Sequence, residues 1–300
     1  MKKALLTIAM MLLAVSAGAQ ETTATHADHQ APAPAAAAPA RAAGQEWAKK
    51  AVEASPRHRE WVNIKAGERT VSAFVVYPEV KKKATAVIAI HEIFGMSDWV
   101  QMLADELAAA GYIAIAPDLL SGMGPNGGGT SSFADGQAVG KAIRDLPPDQ
   151  VTADLNAVAD YAAKLPAANG KVAVGGFCWG GTQTFRFATN RPKLAAAFVF
   201  YGSGPESPEA IAAIRAPVYG FYAGNDARIG ATIPKTQELM KAAGKKYDIV
   251  TYEGAGHGFM RAGDAPPPAD ADEKAREAYA GNKKARDAAW VRWKSILKGL

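Results

Sequence analysis

The segment that most constrains the fold is residues 171–183, KVAVGGFCWGGTQ. Val172, Ala173 and Val174 form a short apolar run of the kind buried on both faces of a parallel sheet. The chain then turns through Gly175-Gly176-Phe177-Cys178-Trp179-Gly180-Gly181, and a helical pattern follows from Thr182. A residue at the tip of such a strand-to-helix turn is held above the sheet, beside a helix N-terminus. Small residues two before and two after it, here Gly176 and Gly180, let strand and helix approach each other. This is the G-x-S-x-G nucleophile-elbow pattern with Cys178 in the serine position. A helix N-terminus favours thiolate over thiol. The elbow context therefore reads Cys178 as a nucleophile and not as a small buried hydrophobe, the commoner fate of a free cysteine.

Composition narrows the classes. Of the 300 residues, 49% are hydrophobic, which permits a sizeable core. The formal charge of +5 is modest, and no basic run is interleaved with aromatics, so no nucleic-acid partner is expected. Lys81-Lys82-Lys83 reads as a solvated turn between strands. Cys178 is the sole cysteine, so there is no disulfide framework and the thiol needs a reason of its own.

The N-terminus reads as a secretory signal peptide, residues 1–19: Lys2-Lys3, an apolar run over 4–15 too short to span a bilayer comfortably, and Ala17-Gly18-Ala19 as the cleavage site. A periplasmic or secreted protein follows as the expectation, with no membrane association once the leader is cleaved. Residues 20–44 are Ala/Pro-rich and read as a linker. His26, Asp28 and His29 in it read as solvated polar residues, so no metal is expected.

The folded domain is expected over residues 45–300. Helical patterns cover 45–54, a stretch capped by Ser97 or Asp98 and running to 110, 133–144, 148–165 and 233–243, with two further helices at 271–280 and 283–298. Strand patterns cover 61–64, 70–77, 85–90, 112–116, 195–201, 218–223 and 247–252. The Gly-rich stretch 119–130, LLSGMGPNGGGT, lacks the closing Gly-Lys-Ser/Thr of a phosphate loop and reads as a surface loop or lid. Two strands followed by repeated strand–helix units define an α/β fold: a doubly wound, mostly parallel sheet with helices on both faces and an antiparallel start. Ligands bind such sheets at the carboxyl ends of the strands, where Glu92, Asp118, Cys178, Asp226 and His257 all fall.

Nucleophilic catalysis needs a nucleophile, a base for its proton and a group that orients the base. In α/β-hydrolases these run in the order nucleophile, acid, histidine, and here the order is Cys178, Asp226, His257. The oxyanion hole is expected from the backbone N–H of Trp179, which follows the nucleophile, and from the loop after Ile90, at Ile93.

At this point the chain resembles the dienelactone hydrolase family, whose type enzyme is carboxymethylenebutenolidase. The matching segments are HEIFG (91–95), APDL (116–119), GGFCWGG (175–181), FYG (200–202), AGND (223–226) and GHGFMR (256–261), spread over about 60–298. The resemblance implies a hydrolase with the α/β-hydrolase fold and no cofactor, with Cys178 as nucleophile and His257 as its base, oriented by Asp226. It implies that Glu92 interacts with the resting thiol and takes its proton when substrate displaces the carboxylate. It implies that Arg261 pairs with a substrate carboxylate, and it places Tyr201 among the substrate-binding residues. Family members that cleave dienelactone carry a second arginine soon after APDL. Here residues 119–124 hold no basic residue, and none follows before Lys141. That departure, with the leader, points to a different small ester or lactone, cleaved by a monomer through an acyl-thioester. The rival reading is a non-catalytic ligand-binding or thiol redox-sensing protein on the same fold.

Overall fold

The computed structural model describes residues 45–263, 267 and 270–300. The stretches expected as leader and linker, with His26 and His29, lie outside the described residues. The chain opens with α1 (Glu46–Ala54), followed by a hairpin of β1 (Arg59–Ala66) and β2 (Arg69–Val76). Then come β3 (Ala84–Ile90), α2 (Asp98–Ala109) and β4 (Ile113–Pro117), then α3 (Gly136–Asp145) and α4 (Pro148–Lys164). After β5 (Ala168–Phe177) and α5 (Trp179–Asn190) follow β6 (Ala196–Phe200), α6 (Pro208–Ala213), β7 (Val218–Ala223), α7 (Ala227–Gly230) and α8 (Ile233–Ala242). The chain closes with β8 (Tyr247–Tyr252) and α9 (Glu273–Lys298).

The eight strands form one sheet in the order β1-β2-β4-β3-β5-β6-β7-β8. β2 pairs antiparallel with both β1 and β4, and every other pair is parallel. The doubly wound expectation with an antiparallel start therefore holds. Strand periodicity sends alternate side chains to opposite faces. Val71, Ala73, Val75, Ile88 and Ile90 enter the core beneath α3, α4, α5, α6 and α8. Phe74, Val76, Val87 and Ala89 enter the core beneath α1, α2 and α9. The winding leaves β3 in one direction for β4 and in the other for β5, so the crevice of the sheet opens between the carboxyl ends of β3 and β5. Glu92 and Cys178 sit on its two sides.

Two expectations change. The helices expected at 271–280 and 283–298 are one continuous helix, α9. Gly281-Asn282 reads as a break, yet it is a docking point. A Cβ on Gly281 would run into the Gly254 carbonyl, and Asn282 Oδ1 accepts the Gly256 N–H at 2.7 Å. Tertiary contact overrides the local cost of a helical glycine. Further along α9, Trp293 is fully buried against Phe177, Phe198 and Phe200. Truncating such a side chain costs about 3–5 kcal/mol. The second change is a pair of short helices absent from the sequence reading: α6, whose Ser207 cap accepts the Ala210 N–H at 3.2 Å, and the one-turn α7 after Asp226. Among the described residues no helix is long and apolar enough to cross a membrane.

Candidate active site

Cys178 directly follows β5 and caps α5 with φ 57° and ψ −117°. A non-glycine residue in that region costs about 1–3 kcal/mol and persists only where its surroundings hold it. The surroundings are tight. The Cys178 N–H donates to the Phe200 carbonyl at 3.1 Å, and its own carbonyl accepts from Gly181 and Thr182. A Cβ at Gly176 would clash with the Gly180 carbonyl, and one at Gly180 with the carbonyls of Ile90 and His91. The two glycines of the elbow are thus needed for close approach, as the sequence pattern requires. The thiol itself is half-buried.

The segment after β3 crosses in front of this turn. The backbone N–H groups of Trp179 and Ile93 both act on the Cys178 sulfur, and each pulls the thiol pKa down. These are the two donors expected for the oxyanion hole. Burial and then the Glu92 charge push the thiol up, and this upward push prevails. The Arg228 guanidinium pulls it down from the first turn of α7. Arg228 carries no sequence expectation. The signal available for it is its position two residues after Asp226.

Asp226 caps α7, its Oδ1 accepting the Ile229 N–H at 3.3 Å. Its Oδ2 lies 2.5 Å from His257 Nδ1. With Nδ1–H donating to the carboxylate, the neutral ring carries its lone pair on Nε2, a buried atom with no partner among the described residues. Gly258, at φ 80°, turns the chain directly after the histidine, and a Cβ there would strike the Arg261 guanidinium.

Glu92 is fully buried between two groups. Oε1 accepts the Tyr201 hydroxyl at 3.0 Å, and Oε2 lies 2.9 Å from Arg261 Nε. Burial pushes the carboxyl pKa up, while Arg261, the Tyr201 hydroxyl and His257 oppose the rise. Tyr201 is itself 0% exposed, and burial followed by the Glu92 charge raises its pKa well above the ordinary phenol range. The resemblance places Tyr201 among the substrate-binding residues. In the resting structure its hydroxyl faces a buried carboxylate and its ring packs edge-on against His257 at 5.0 Å. Arg261, expected on a substrate carboxylate, rests on Glu92 while one third of its side chain stays exposed. Its guanidinium also stacks over the Phe94 ring at 5.0 Å.

Two polar residues beside the site turn inward. His91 is fully buried, with Nδ1 2.9 Å from the Glu92 carbonyl and Nε2 accepting the Leu119 N–H at 3.3 Å. Those partners fix a neutral tautomer, and burial lowers its pKa. Asp118 binds the Thr130 N–H and hydroxyl at 2.8 and 2.7 Å and the Leu120 N–H at 3.1 Å. The Thr130 hydroxyl also accepts the Met96 N–H at 3.0 Å. The Gly-rich loop 119–130 is therefore pinned at both ends to the strand edge.

A strained strand-to-helix elbow, an acid–histidine pair after the seventh and eighth strands and an eight-stranded, mostly parallel sheet define an α/β-hydrolase. More narrowly, the chain belongs to the dienelactone hydrolase family, whose family model matches residues 71–300. A protein of Salmonella typhi named "Putative carboxymethylenebutenolidase" is 36% identical over 185 residues, covering 58% of this chain and 67% of the relative. A protein of the same name from Saccharolobus solfataricus is 30% identical over 261 residues, covering 76% of this chain and 93% of the relative. The crystal structure of a protein named "Putative Dienelactone Hydrolase" from Klebsiella pneumoniae superposes with a TM-score of 0.67 at 27% identity. That match covers 82% of this chain and all of the other. The chain is a dienelactone-hydrolase-like hydrolase.

Proposed function

We propose that this hydrolase cleaves a small ester or lactone through an acyl-thioester on Cys178. The observation that carries the reading is the elbow that holds Cys178 at φ 57° between β5 and α5, on the sheet edge where Asp226 Oδ2 lies 2.5 Å from His257 Nδ1. At rest the raised pKa keeps the sulfur protonated. A substrate carboxylate that competes for Arg261 strips Glu92 of its counter-ion inside a buried site, which raises its proton affinity further. Glu92 then takes the thiol proton, and the thiolate adds to the substrate carbonyl. The oxygen that becomes negative takes over the Ile93 and Trp179 N–H groups from the sulfur. Collapse breaks the carbon–oxygen bond, and the alkoxide leaves with the proton held on Glu92. In the second half, His257 Nε2 takes a proton from water while Asp226 stabilises the imidazolium through Nδ1. Hydroxide adds to the thioester, the carbon–sulfur bond breaks, and the proton on His257 returns to sulfur. The sum is ester plus water to acid plus alcohol.

The raised thiol weighs against the redox-sensor reading, because sensor cysteines are low-pKa thiolates. The leader composition supports action in a periplasm or outside the cell, and the reading takes the protein as a monomer. The test is a burst experiment with p-nitrophenyl hydrogen succinate, whose free carboxylate can compete with Glu92 for Arg261. A stoichiometric burst that iodoacetamide abolishes, and turnover at least about a thousandfold lower in Cys178→Ala, are expected. Undiminished hydrolysis by Cys178→Ala would overturn the mechanism.

A further inference from the structure

The short turn Phe259–Arg261 carries the guanidinium that pairs with Glu92. An arginine is long and its head is readily solvated, so such a turn aims it only if the backbone of the turn is itself held. Three elements hold this backbone. Trp99 of α2 is fully buried, and its Nε1–H donates to the Met260 carbonyl at 3.1 Å. Tyr279 of α9 donates its hydroxyl to the Gly263 carbonyl at 2.6 Å. Trp47 of α1 closes the third side. A Cβ on Gly263 would lie 2.7 Å from Trp47 Cε2 and 3.0 Å from Cζ2, so the indole rests on the bare backbone just after Arg261.

Two features of the sequence seat α1 there. Ala48 and Val52, one helical turn apart, are buried in the core that α1 shares with α2 and α9. Gln45, the residue before α1, makes no side-chain cap for its own helix. Its Oε1 accepts the Trp99 N–H at 3.1 Å instead. That N–H is one of the first-turn donors of α2, which have no partner inside their helix. The Ser97 hydroxyl accepts the next one, the Val100 N–H, at 3.4 Å. Gln45 thus caps α2 from another element, on the residue whose indole holds Met260. Helix α2 begins at the end of the loop that carries Glu92 and Ile93. The amino-terminal helix is therefore tied to both halves of the ion pair, to the Glu92 side through α2 and to the Arg261 side through Trp47.

We propose that Trp47 is a positioning residue for the reaction: seated by α1 on Gly263, it holds Arg261 on Glu92 in the resting protein. The proposal rests on the reading of Arg261 as the counter-ion that keeps Glu92 from taking the thiol proton. Helix α1 precedes residues 71–300, the stretch the family model matches, so the role belongs to a part of this chain outside that match.

The experiment uses the full chain and two readouts. The first is the rate at which iodoacetamide alkylates Cys178 at neutral pH. Arg261→Gln strips Glu92 of its counter-ion, the buried carboxyl takes the thiol proton, and alkylation is expected to quicken about tenfold. Trp47→Ala is expected to quicken it about threefold, with part of the wild-type behaviour restored in Trp47→Phe. Gly263→Ala drives a methyl group into the indole and is expected to reproduce the effect. In the Arg261→Gln background, Trp47→Ala is expected to add nothing. No gain from Trp47→Ala in the wild-type background overturns the proposal. The same gain in both backgrounds also overturns it, because Trp47 then acts by packing alone. The second readout is solvent exchange of the Arg261 Nε–H, followed by NMR and assigned by the loss of its signal in Arg261→Gln. Exchange about tenfold faster in Trp47→Ala supports the proposal, and equal exchange overturns it. If Arg261→Gln leaves alkylation unchanged, the Glu92 step of the hydrolase reading has failed, and the exchange of Nε–H still decides the role of Trp47. Should Trp47→Ala fail to fold, Gly263→Ala carries both measurements.

Discussion

His91 follows β3 and His257 follows β8, so both rings stand at the carboxyl edge of one sheet, and their surroundings are opposite. Both nitrogens of His91 are occupied by backbone groups, the ring is sealed from solvent, and it stacks on Trp179 at 5.6 Å. Asp118, one strand over, is likewise spent on the backbone and hydroxyl of its own loop. His257 has one nitrogen on Asp226 and the other buried without a partner, and 28% of its side chain is exposed. Glu92, the acid that answers Asp118, is held by an ion pair and a phenol instead of by backbone donors. Polar groups that satisfy one another locally build a scaffold. Polar groups left short of partners, or held by partners a ligand can displace, are where chemistry is possible. Equal residue types at equal topological positions thus divide by how their hydrogen bonds are spent.

The sharpest way to break that division is to truncate each histidine. His257→Ala is expected to lower kcat by about 10² to 10⁴ while leaving thermal unfolding nearly unchanged. His91→Ala is expected to do the reverse. It leaves the Leu119 N–H buried without its partner, at a cost of about 1–3 kcal/mol, and thermal unfolding would show it as a lower midpoint. If His91→Ala abolishes turnover at full stability, the scaffold assignment is wrong.

Glu92→Gln gives the next effect, and it separates the two jobs of one carboxylate. The wild-type thiol pKa is raised, so the thiolate fraction at pH 7 is small and alkylation quickens as pH climbs through that pKa. Removing the Glu92 charge removes one of the upward pushes on the thiol. The midpoint of iodoacetamide reactivity should therefore move to lower pH. The thiolate fraction at pH 7, and with it the alkylation rate, should rise about tenfold for every 1.4 kcal/mol by which the lost repulsion favours the thiolate. Ester turnover should fall in the same variant, because no carboxylate remains to accept the thiol proton. A midpoint that stays or rises would remove Glu92 from the control of the sulfur.

What the sequence made legible follows from distance along the chain. Gly176, Cys178 and Gly180 lie within one turn, and the backbone geometry of an elbow leaves few residues that can occupy it. Asp226 and His257 were legible because each comes directly after an apolar strand. The Glu92–Arg261 pair and the Tyr201 hydroxyl were not, since their partners meet only after the sheet has formed and no local pattern encodes which cation an acid will find. Arg228 escaped for the same reason. The continuity of α9 was missed on local propensity, which is set aside wherever a neighbouring backbone rewards a residue without a side chain.

The unbroken α9 also supplies the smallest and most specific effect. Arg286 ties α9 to α2 through Glu106 at 2.6 Å, so the helix is anchored away from the site, and Asn282 makes a separate contact. Its Oδ1 accepts the N–H of Gly256, the residue before His257. Asn282→Ala leaves that N–H without its partner, a change of about 1 kcal/mol, spent on the loop that holds the imidazole. The expected result is a kcat a few-fold lower, with KM for p-nitrophenyl hydrogen succinate unchanged and the melting temperature down by about 2–4 °C. Asn282→Asp keeps an acceptor at the same position and should recover the rate. If Asn282→Ala loses stability but no rate, α9 is merely packed against the His257 loop and does not position it.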